Sequence, residues 1–285
     1  MAQGNGEPWD VGNPKVLVTL PVHNEFPRLR ASIRALKSSL DASGMNYTLS
    51  ICEDGSDDGT KELLQVIRKE DPAIIIYTFP QKMGRGWALR NHWKDLPYDI
   101  FAFCDADLAT GPDSVISAIR HVREGYGLVI GSRYVDGSIV KRPPARKLVS
   151  KLYNRLLRLI FNDGIYDHQC GLKALSIQAL QKILPASVED SWFWDTEVIL
   201  IANELGIKTL EMPVSWVEIK VKRTHLLRLV QDVFLHGTGI LRLKGELYHR
   251  TERFVAPGFL DGSLRELGKL KAQIEDRSRD SPVNP

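Results

Sequence analysis

Short β-rich runs alternate with helical patterns through the first half of this 285-residue chain. The runs are bounded by turn residues and lie at Val16 to Leu20, Tyr47 to Cys52, Ile74 to Phe79, Ile100 to Cys104 and Leu128 to Ile130. Segments between them, such as Arg28 to Leu40 and Thr60 to Arg68, carry apolar residues at helical spacing. This alternation predicts an α/β fold with a mostly parallel sheet, in which ligands bind at the carboxyl ends of strands.

Helical patterns dominate beyond residue 140. They predict basic amphipathic helices at about 145–161 and 224–243, further helices over Gly171 to Leu184 and Thr196 to Leu205, and a strand over Thr209 to Trp216. We expect one domain over 14–250, a flexible N-terminus at 1–13 and a polar C-terminal tail at 251–285.

Charge and cysteine usage narrow the class of protein. The net charge is +3, but acids concentrate in the first half while Lys and Arg cluster at 141–158 and 220–244, which suits an anionic ligand or surface. Cys52, Cys104 and Cys170 are odd in number and lack metal spacing, so a cytoplasmic location is favoured over a disulfide framework. No signal peptide is recognisable, and no apolar run reaches about 18 residues.

Polar turns follow the first two predicted strands. Pro21, His23 and Glu25 come after the first, and the acidic turn Asp54 to Thr60 follows the second. Glycines in such turns permit positive φ, and carboxylates at strand ends can accept hydrogen bonds from a ribose or a base. A simple turn with a helix cap is an equally good interpretation of the acidic turn taken alone.

The fourth predicted strand ends in Asp105-Ala106-Asp107. Alternation along a strand places the two carboxylates on one face, with a small residue between them. Oxygen ligands in this arrangement suit Mg²⁺ or Mn²⁺ bridging a diphosphate. A lone Asp-x-Asp is weak evidence, but the buried-strand pattern before it strengthens the prediction.

A glycine-containing loop with two cations, Gln81 to Ala88, follows the third predicted strand. Lys82 and Gly84 are its candidates for nucleotide contacts, since close backbone approach and positive charge suit phosphate. The spacing matches neither an ATPase phosphate loop nor a dinucleotide fingerprint, which disfavours those two classes.

Taken in order, these motifs resemble those of family 2 glycosyltransferases, specifically the polyprenyl (dolichyl) phosphate hexose synthases. The matching segments are Pro21 to Glu25, Asp54 to Thr60, Gly84 to Ala88, Asp105 to Asp107, Gly131 to Tyr134 and Asp167 to Lys173. The resemblance implies a GT-A fold and inverting transfer of a hexose from a nucleotide sugar to a polyprenyl phosphate.

The resemblance also implies roles for particular residues. Those implied to contact the nucleoside are Pro21, His23, Glu25, Cys52 and Asp54. Those implied to hold the metal and the diphosphate are Asp105, Ala106 and Asp107. Arg133 would face phosphate, Arg146 and Ser150 would receive the acceptor phosphate, and cations against the diphosphate are sought among Lys220, Lys222 and Arg223.

Several alternatives stay open at this level. Asp167 is implied as a catalytic carboxylate, orienting a substrate or acting as a base, although a helix cap fits equally well. Gln169, Asp195 and Glu197 are secondary candidates. The segments Ser191 to Glu197 and Glu211 to Trp216 look more like dolichyl phosphate glucose synthases than mannose synthases, which favours a UDP-hexose over GDP-mannose as donor.

The implied acceptor carries a lipid chain that stays in the bilayer. We therefore expect a peripheral enzyme at the cytoplasmic face of a membrane, docked directly or through a membrane subunit. A soluble enzyme with a sugar acceptor is the first rival, and it would need a general base. The second rival is a module that binds a nucleotide sugar or a nucleic acid without catalysis. Nucleic acid is disfavoured as a partner, because the aromatic residues lie mostly in predicted strands or near Trp192 and not among the basic helices.

Overall fold

A computed structural model describes residues 13–217 and 245–246 of the chain. Its strands are β1 (Val16–Val22), β2 (Tyr47–Asp54), β3 (Ile75–Phe79), β4 (Ile100–Phe103), β5 (Leu128–Ser132), β6 (Ile139–Lys141), β7 (Lys173–Ser176), β8 (Thr209–Pro213) and β9 (Ser215–Val217). Seven of them form one sheet in the order β3-β2-β1-β4-β7-β5-β8, and β6 pairs with β9 separately. Every pairing is parallel except those of β7 with β4 and β5.

Helices cover both faces of the sheet. They are α1 (Phe26–Ser43), α2 (Thr60–Glu70), α3 (Arg85–Trp93), α4 (Pro112–Arg123), α5 (Pro144–Phe161), α6 (Ile177–Ala186) and α7 (Trp194–Glu204). Successive side chains of β4 enter opposite layers: Ile100 packs in the layer with α1, α2 and α4, and Phe101 in the layer with α3, α5, α6 and α7. A strand buried on both faces explains why its sequence is continuously apolar.

The mostly parallel α/β sheet predicted from the sequence is confirmed. One predicted element is wrong: Gly171 to Leu184 is not a single helix, because Lys173–Ser176 forms β7 before α6 begins at Ile177. β7 lies between β4 and β5, where both of its edges are paired, and this tertiary pairing outweighs the local helical pattern.

The strand order reverses between β1 and β4. From β1 the chain moves outward through β2 to β3, and then returns to add β4 on the other side of β1. Such a switch point opens a crevice outside the carboxyl ends of the two strands, which is where ligands bind in open α/β sheets.

No helix within the described residues is long and apolar enough to span a bilayer. The predicted helix at 224–243, the cations at 220–223 and the tail at 251–285 lie outside the described residues. The proposed boundaries of the domain at 14 and 250 therefore stay predictions.

Candidate active site

A cavity of about 440 Å³ lies at the switch point of the sheet. It is lined by Pro21, Val22, His23, Glu25, Asp54, Lys82, Gly84, Arg85, Ala88, Asp105, Ala106, Asp107, Ser191 and Trp192. The ends of β1, β2 and β4 thus bring together most of the residues that the sequence indicates for nucleotide-sugar binding.

Asp54 holds the glycine-containing loop in place. Its two carboxylate oxygens accept hydrogen bonds from the backbone N–H groups of Met83 (2.7 Å) and Gly84 (2.9 Å). The loop approaches so closely that a Cβ at Gly55 would lie 2.2 Å from the backbone of residue 81. His23 Nδ1 lies 2.8 Å from the Asp54 carbonyl oxygen, and because a carbonyl only accepts, Nδ1 carries the proton.

The rest of the acidic turn braces the neighbouring loop. Asn24 donates its backbone N–H to Ser56 Oγ (2.9 Å) and its side-chain amide to Asp57 Oδ1 (2.8 Å). Asp58 Oδ2 accepts from the backbone N–H of Phe26 at 3.1 Å. The turn interpretation therefore holds for residues 56–58, while Asp54 is the member of the motif that lines the cavity.

Arg85 links two carboxylates at the cavity floor. Its guanidinium donates to Asp105 Oδ1 (2.6 Å) and to Asp195 Oδ2 (2.8 Å). Asp195 is buried and accepts a further bond, 2.9 Å, from the fully buried Lys173. The result is an alternating series of charges, Lys173, Asp195, Arg85 and Asp105, that runs from the core to the cavity.

Asp105 is also fixed by sterics. A Cβ at Gly171 would lie 2.2 Å from Asp105 Oδ2, so the position after Cys170 has to be glycine for this carboxylate to keep its place. Asp107 Oδ1 accepts from the backbone N–H of Ala109 at 3.1 Å. Both carboxylates line the cavity, with Ala106 between them.

The loop at 188–190 supports one wall of the cavity. The buried Glu197 accepts from the backbone N–H groups of residues 188 (3.1 Å) and 189 (3.0 Å). The loop then packs against α3, where a Cβ at Gly84 or Gly86 would lie 2.2 Å or 2.4 Å from its carbonyl oxygens. This tight packing presents the half-exposed Trp192 to the cavity.

Arg133 and Asp167 form a buried ion pair that does not line this cavity. Arg133 donates through Nε and Nη2 to the two carboxylate oxygens of Asp167, at 2.7 Å each. Burial is the largest single influence on the pKa of Arg133 and acts to lower it, but the charge of Asp167 and the hydrogen bonds to it together raise that pKa. Burial likewise acts to raise the pKa of Asp167, and the charge and hydrogen bonds of Arg133 together lower it. The Arg133 guanidinium also lies 4.9 Å from the Trp216 ring.

The implied acceptor residues lie on α5, outside the lining of the cavity. Arg146 is half-buried near the start of the helix, and Ser150 is buried. The backbone carbonyl of Ser150 accepts from Asn154 (2.9 Å), whose Oδ1 lies 3.0 Å from His168 Nδ1. This network connects α5 to the Asp167 segment, and Gln169 joins it by donating its backbone N–H to Asp167 (3.2 Å).

Cys52 is not among the residues that line the cavity, so its implied contact with the nucleoside stays a prediction. It is fully buried and donates to the carbonyl oxygen of Ala88 at 3.4 Å. Burial raises the pKa of its thiol well above the ordinary value. Cys52 packs with Phe79 and Ala88, whereas Asp54, the last residue of β2, lies at the carboxyl end of the strand and lines the cavity.

The donor set fits a divalent metal that also has substrate ligands. Among the described residues there is no cluster of three or more His, Cys, Asp and Glu side chains that would enclose an ion. Mg²⁺ typically takes one or two carboxylates and completes its shell with water and substrate phosphates. Asp105 and Asp107 match that chemistry, because both face the cavity where a diphosphate would have to lie.

Sequence reasoning missed Arg85, Ser191, Trp192 and Lys173 as members of the site. The sequence does contain a feature that could have identified Arg85, since it is the second cation of the glycine-containing loop. Trp192 had none that separated it from Trp194, which is fully buried in the core. Lys173 belongs to the segment Asp167 to Lys173 that carries the resemblance. Its part in the site can be recognised only once its buried partner Asp195 is known.

The fold and the cavity together define an α/β protein whose site lies at the switch point of the sheet and combines cations with two carboxylates. Residues 17–184 match the model of glycosyl transferase family 2. The chain therefore belongs to glycosyl transferase family 2.

Curated relatives support this assignment. Glycosyltransferase AglD of Haloferax volcanii is 34% identical over 233 residues, which cover 80% of this chain and 36% of that protein. The chain thus spans about a third of the length of this relative. Dolichyl-phosphate beta-glucosyltransferase ALG5A of Trichomonas vaginalis is 29% identical over 253 residues, covering 83% of this chain and 78% of that protein.

Solved structures confirm the GT-A fold. Glucosyl-3-phosphoglycerate synthase from Mycobacterium tuberculosis, in complex with Mn²⁺, UDP and glucosyl-3-phosphoglycerate, superposes with a TM-score of 0.60. The match covers 90% of this chain and 88% of that one at 16% sequence identity. At this identity the likeness establishes the fold.

Proposed function

We propose that this protein is an inverting hexosyltransferase that moves a sugar from a nucleoside diphosphate donor to a polyprenyl phosphate. The observation that carries the proposal is the cavity at the switch point, which Asp105, Asp107, Arg85 and Lys82 line together in a family 2 glycosyltransferase. The name of the relative ALG5A, a dolichyl-phosphate beta-glucosyltransferase, supports a lipid phosphate acceptor and a glucosyl donor.

The nucleotide sugar would lie across the carboxyl ends of β1, β2 and β4. Its nucleoside would lie beside Pro21, His23 and Glu25, and its diphosphate beside the glycine-containing loop that Asp54 holds in place. Asp105 and Asp107 would hold Mg²⁺ or Mn²⁺, which neutralises negative charge on the leaving diphosphate. Arg85 adds a fixed positive charge at the same place.

The acceptor needs little help from a base. The second pKa of a phosphate monoester is about 6, so at neutral pH the acceptor is largely a dianion. A phosphate oxygen forms the new bond to the anomeric carbon, the bond from that carbon to the diphosphate breaks, and its electron pair leaves with the nucleoside diphosphate. Attack from the face opposite the leaving group inverts the anomeric centre.

The buried carboxylates agree with a reaction that has no general base. Asp167 is fully buried and paired with Arg133, and Asp195 is buried between Arg85 and Lys173. Both carboxylates are therefore assigned to positioning the cations. Arg133, Arg146 and Ser150 are proposed to receive the acceptor phosphate, and the network through His168 would set their spacing.

The lipid chain of the acceptor places the reaction at a membrane surface. We assign the protein to the cytoplasmic face, which the three buried free thiols support. The proposed donor is a UDP-hexose, with GDP-mannose as the competing candidate.

Transfer from labelled UDP- and GDP-hexoses to a short polyprenyl phosphate, with and without Mg²⁺ or Mn²⁺, tests the proposal. We expect metal-dependent glycolipid formation that Asp107→Ala abolishes. The exposed Asp113, on the first turn of α4, supplies the matched control Asp113→Ala, which should keep activity. Transfer to a free sugar instead of the phosphate would refute the acceptor assignment.

A further inference from the structure

Helix α5 has a row of exposed leucines directly opposite its buried face. The buried face consists of Ser150, Tyr153, Asn154 and Leu157, all at most 7% exposed. The row consists of Leu148 (60% exposed), Leu152 (58%), Leu156 (38%) and Leu159 (74%). At about 100° per residue, the centres of the two faces lie roughly 180° apart. A helix on the surface of a soluble protein ordinarily carries polar residues at that position.

Basic side chains flank this leucine row on one side. Lys147, Lys151 and Arg155 are exposed, and each immediately precedes a leucine of the row. They therefore lie about 100° around the helix from the leucines. Over its whole length, Pro144–Phe161, the helix carries no acidic residue.

Exposed apolar residues also lie on the small sheet of β6 and β9, and β6 precedes α5 in the chain. Ile139 of β6 is 62% exposed and Val217 of β9 is 49% exposed. Lys141, which is the register partner of Val217, is exposed as well. β6 ends at Lys141 and α5 begins at Pro144, so the sheet and the helix are separated by two residues of chain.

We propose that the leucine row of α5 is the surface with which this protein docks on an anionic lipid bilayer, an inference that rests on the proposed lipid phosphate acceptor. Leucines in one row with lysine and arginine beside them are the pattern of helices that lie in the bilayer interface. The leucines insert among the acyl chains, and the basic residues stay at the level of the anionic head groups.

The positive charge of α5 favours a bilayer over a second copy of the chain as the partner that covers the leucine row. A symmetric contact between two copies brings the same surface together twice. Because α5 has five basic residues and no acidic one in its sequence, such a contact would oppose two positive surfaces without compensation. An anionic bilayer supplies the missing negative charge.

Flotation of the full chain with phosphatidylcholine vesicles, with and without phosphatidylglycerol, tests this surface. Replacing Leu148, Leu152 and Leu159 with glutamine should weaken binding on the order of 100-fold, at roughly fivefold per leucine. In the matched control, glutamine replaces Val66, Ile75 and Tyr77, which are 46%, 37% and 44% exposed on another part of the surface. This variant should bind vesicles as tightly as the wild type.

A second variant tests the basic flank. Replacing Lys147, Lys151 and Arg155 with glutamine should remove the preference for phosphatidylglycerol and the sensitivity of binding to salt, while weak binding to neutral vesicles persists. This variant leaves the leucines intact, so it separates loss of charge from misfolding. Circular dichroism and melting temperatures of both variants should match those of the wild type.

Two acceptors separate this inference from the proposed function. The leucine variant should lose transfer to a long polyprenyl phosphate in vesicles and keep transfer to a short, water-soluble one within about twofold. If the wild type binds vesicles but glycosylates neither acceptor, the proposed function fails while the docking surface stands.

Three results would overturn the docking surface. The first is vesicle binding by the leucine variant as tight as that of the wild type. The second is a wild-type dimer, seen by light scattering, that the leucine variant dissociates while neither protein binds vesicles. The third is a lowered melting temperature of the leucine variant without vesicle binding by either protein, which would mean that another segment of the chain covers the row.

Discussion

Replacing Arg85 with methionine tests the series of charges beneath the cavity. Arg85 is the residue of that series that joins the buried Asp195 to Asp105 at the cavity floor, through bonds of 2.8 and 2.6 Å. Methionine fills a similar volume but removes the charge and both hydrogen bonds. Asp195 keeps its bond to Lys173, whereas Asp105 loses the cation that the structure shows beside it.

The expected cost lies between those of a buried and a surface ion pair. Breaking a buried pair costs roughly 3–5 kcal/mol, and an exposed pair contributes about 0–1 kcal/mol. The side chains of Arg85 and Asp105 are 29% and 23% exposed, and Asp195 is 2% exposed but keeps its second partner. We therefore expect the free energy of unfolding to fall by about 2 kcal/mol.

Urea denaturation measures this loss, with Arg30→Met as the matched control. Arg30 pairs with Glu70 at the surface, where the two side chains are 32% and 52% exposed, so its replacement should cost less than about 1 kcal/mol. The reasoning is refuted if the two variants differ by less than about 0.5 kcal/mol.

Donor binding gives a second measurement on the same pair of variants. Arg85→Met removes a cation from the cavity where the diphosphate is proposed to lie, so the KM for the nucleotide sugar should rise on the order of 10-fold. Arg30→Met should leave that KM unchanged. Equal KM values for the two variants would mean that Arg85 does not contact the donor.

Three further predictions concern other buried or cavity-lining groups. Asp167→Asn leaves the buried Arg133 without a charge partner and should lower the free energy of unfolding by roughly 3–5 kcal/mol in urea denaturation; a loss below about 1 kcal/mol would contradict the ion pair. Burial lowers the pKa of His92 from 6.5 to about 4, so between these two pH values the unfolded state binds a proton that the folded state does not. The free energy of unfolding should therefore fall by about 3 kcal/mol as the pH drops from 6.5 to about 4. The His92→Gln variant should lack this pH dependence. If its free energy of unfolding varies with pH as that of the wild type does, His92 is not the group responsible. Trp192→Ala should raise the donor KM several-fold, and the donor-induced change in tryptophan fluorescence should disappear; a persisting change would assign the signal to another tryptophan.

The sequence by itself determined the strands β1 to β5 and the edge of the sheet at which the site lies. Continuous apolar runs of strand length specify buried strands, and the polar residues after them have to gather where parallel strands end. Asp54, Asp105 and Asp107 were found in this way, and all three line the cavity. Periodicity also predicted α5, since its buried and exposed residues repeat at helical spacing.

Only the tertiary structure decided how the charged residues pair. Asp167 lies 34 residues from Arg133, and Asp195 lies 110 residues from Arg85, so no local pattern relates the partners. The same holds for Lys173, whose place in an antiparallel strand depends on its pairing with β4 and β5. A side chain's neighbours depend on which strands and helices come together, whereas its local pattern depends on a few residues on either side. For that reason the sequence could identify the carboxylates, and the fold had to show which of them face the cavity and which are held by a buried cation.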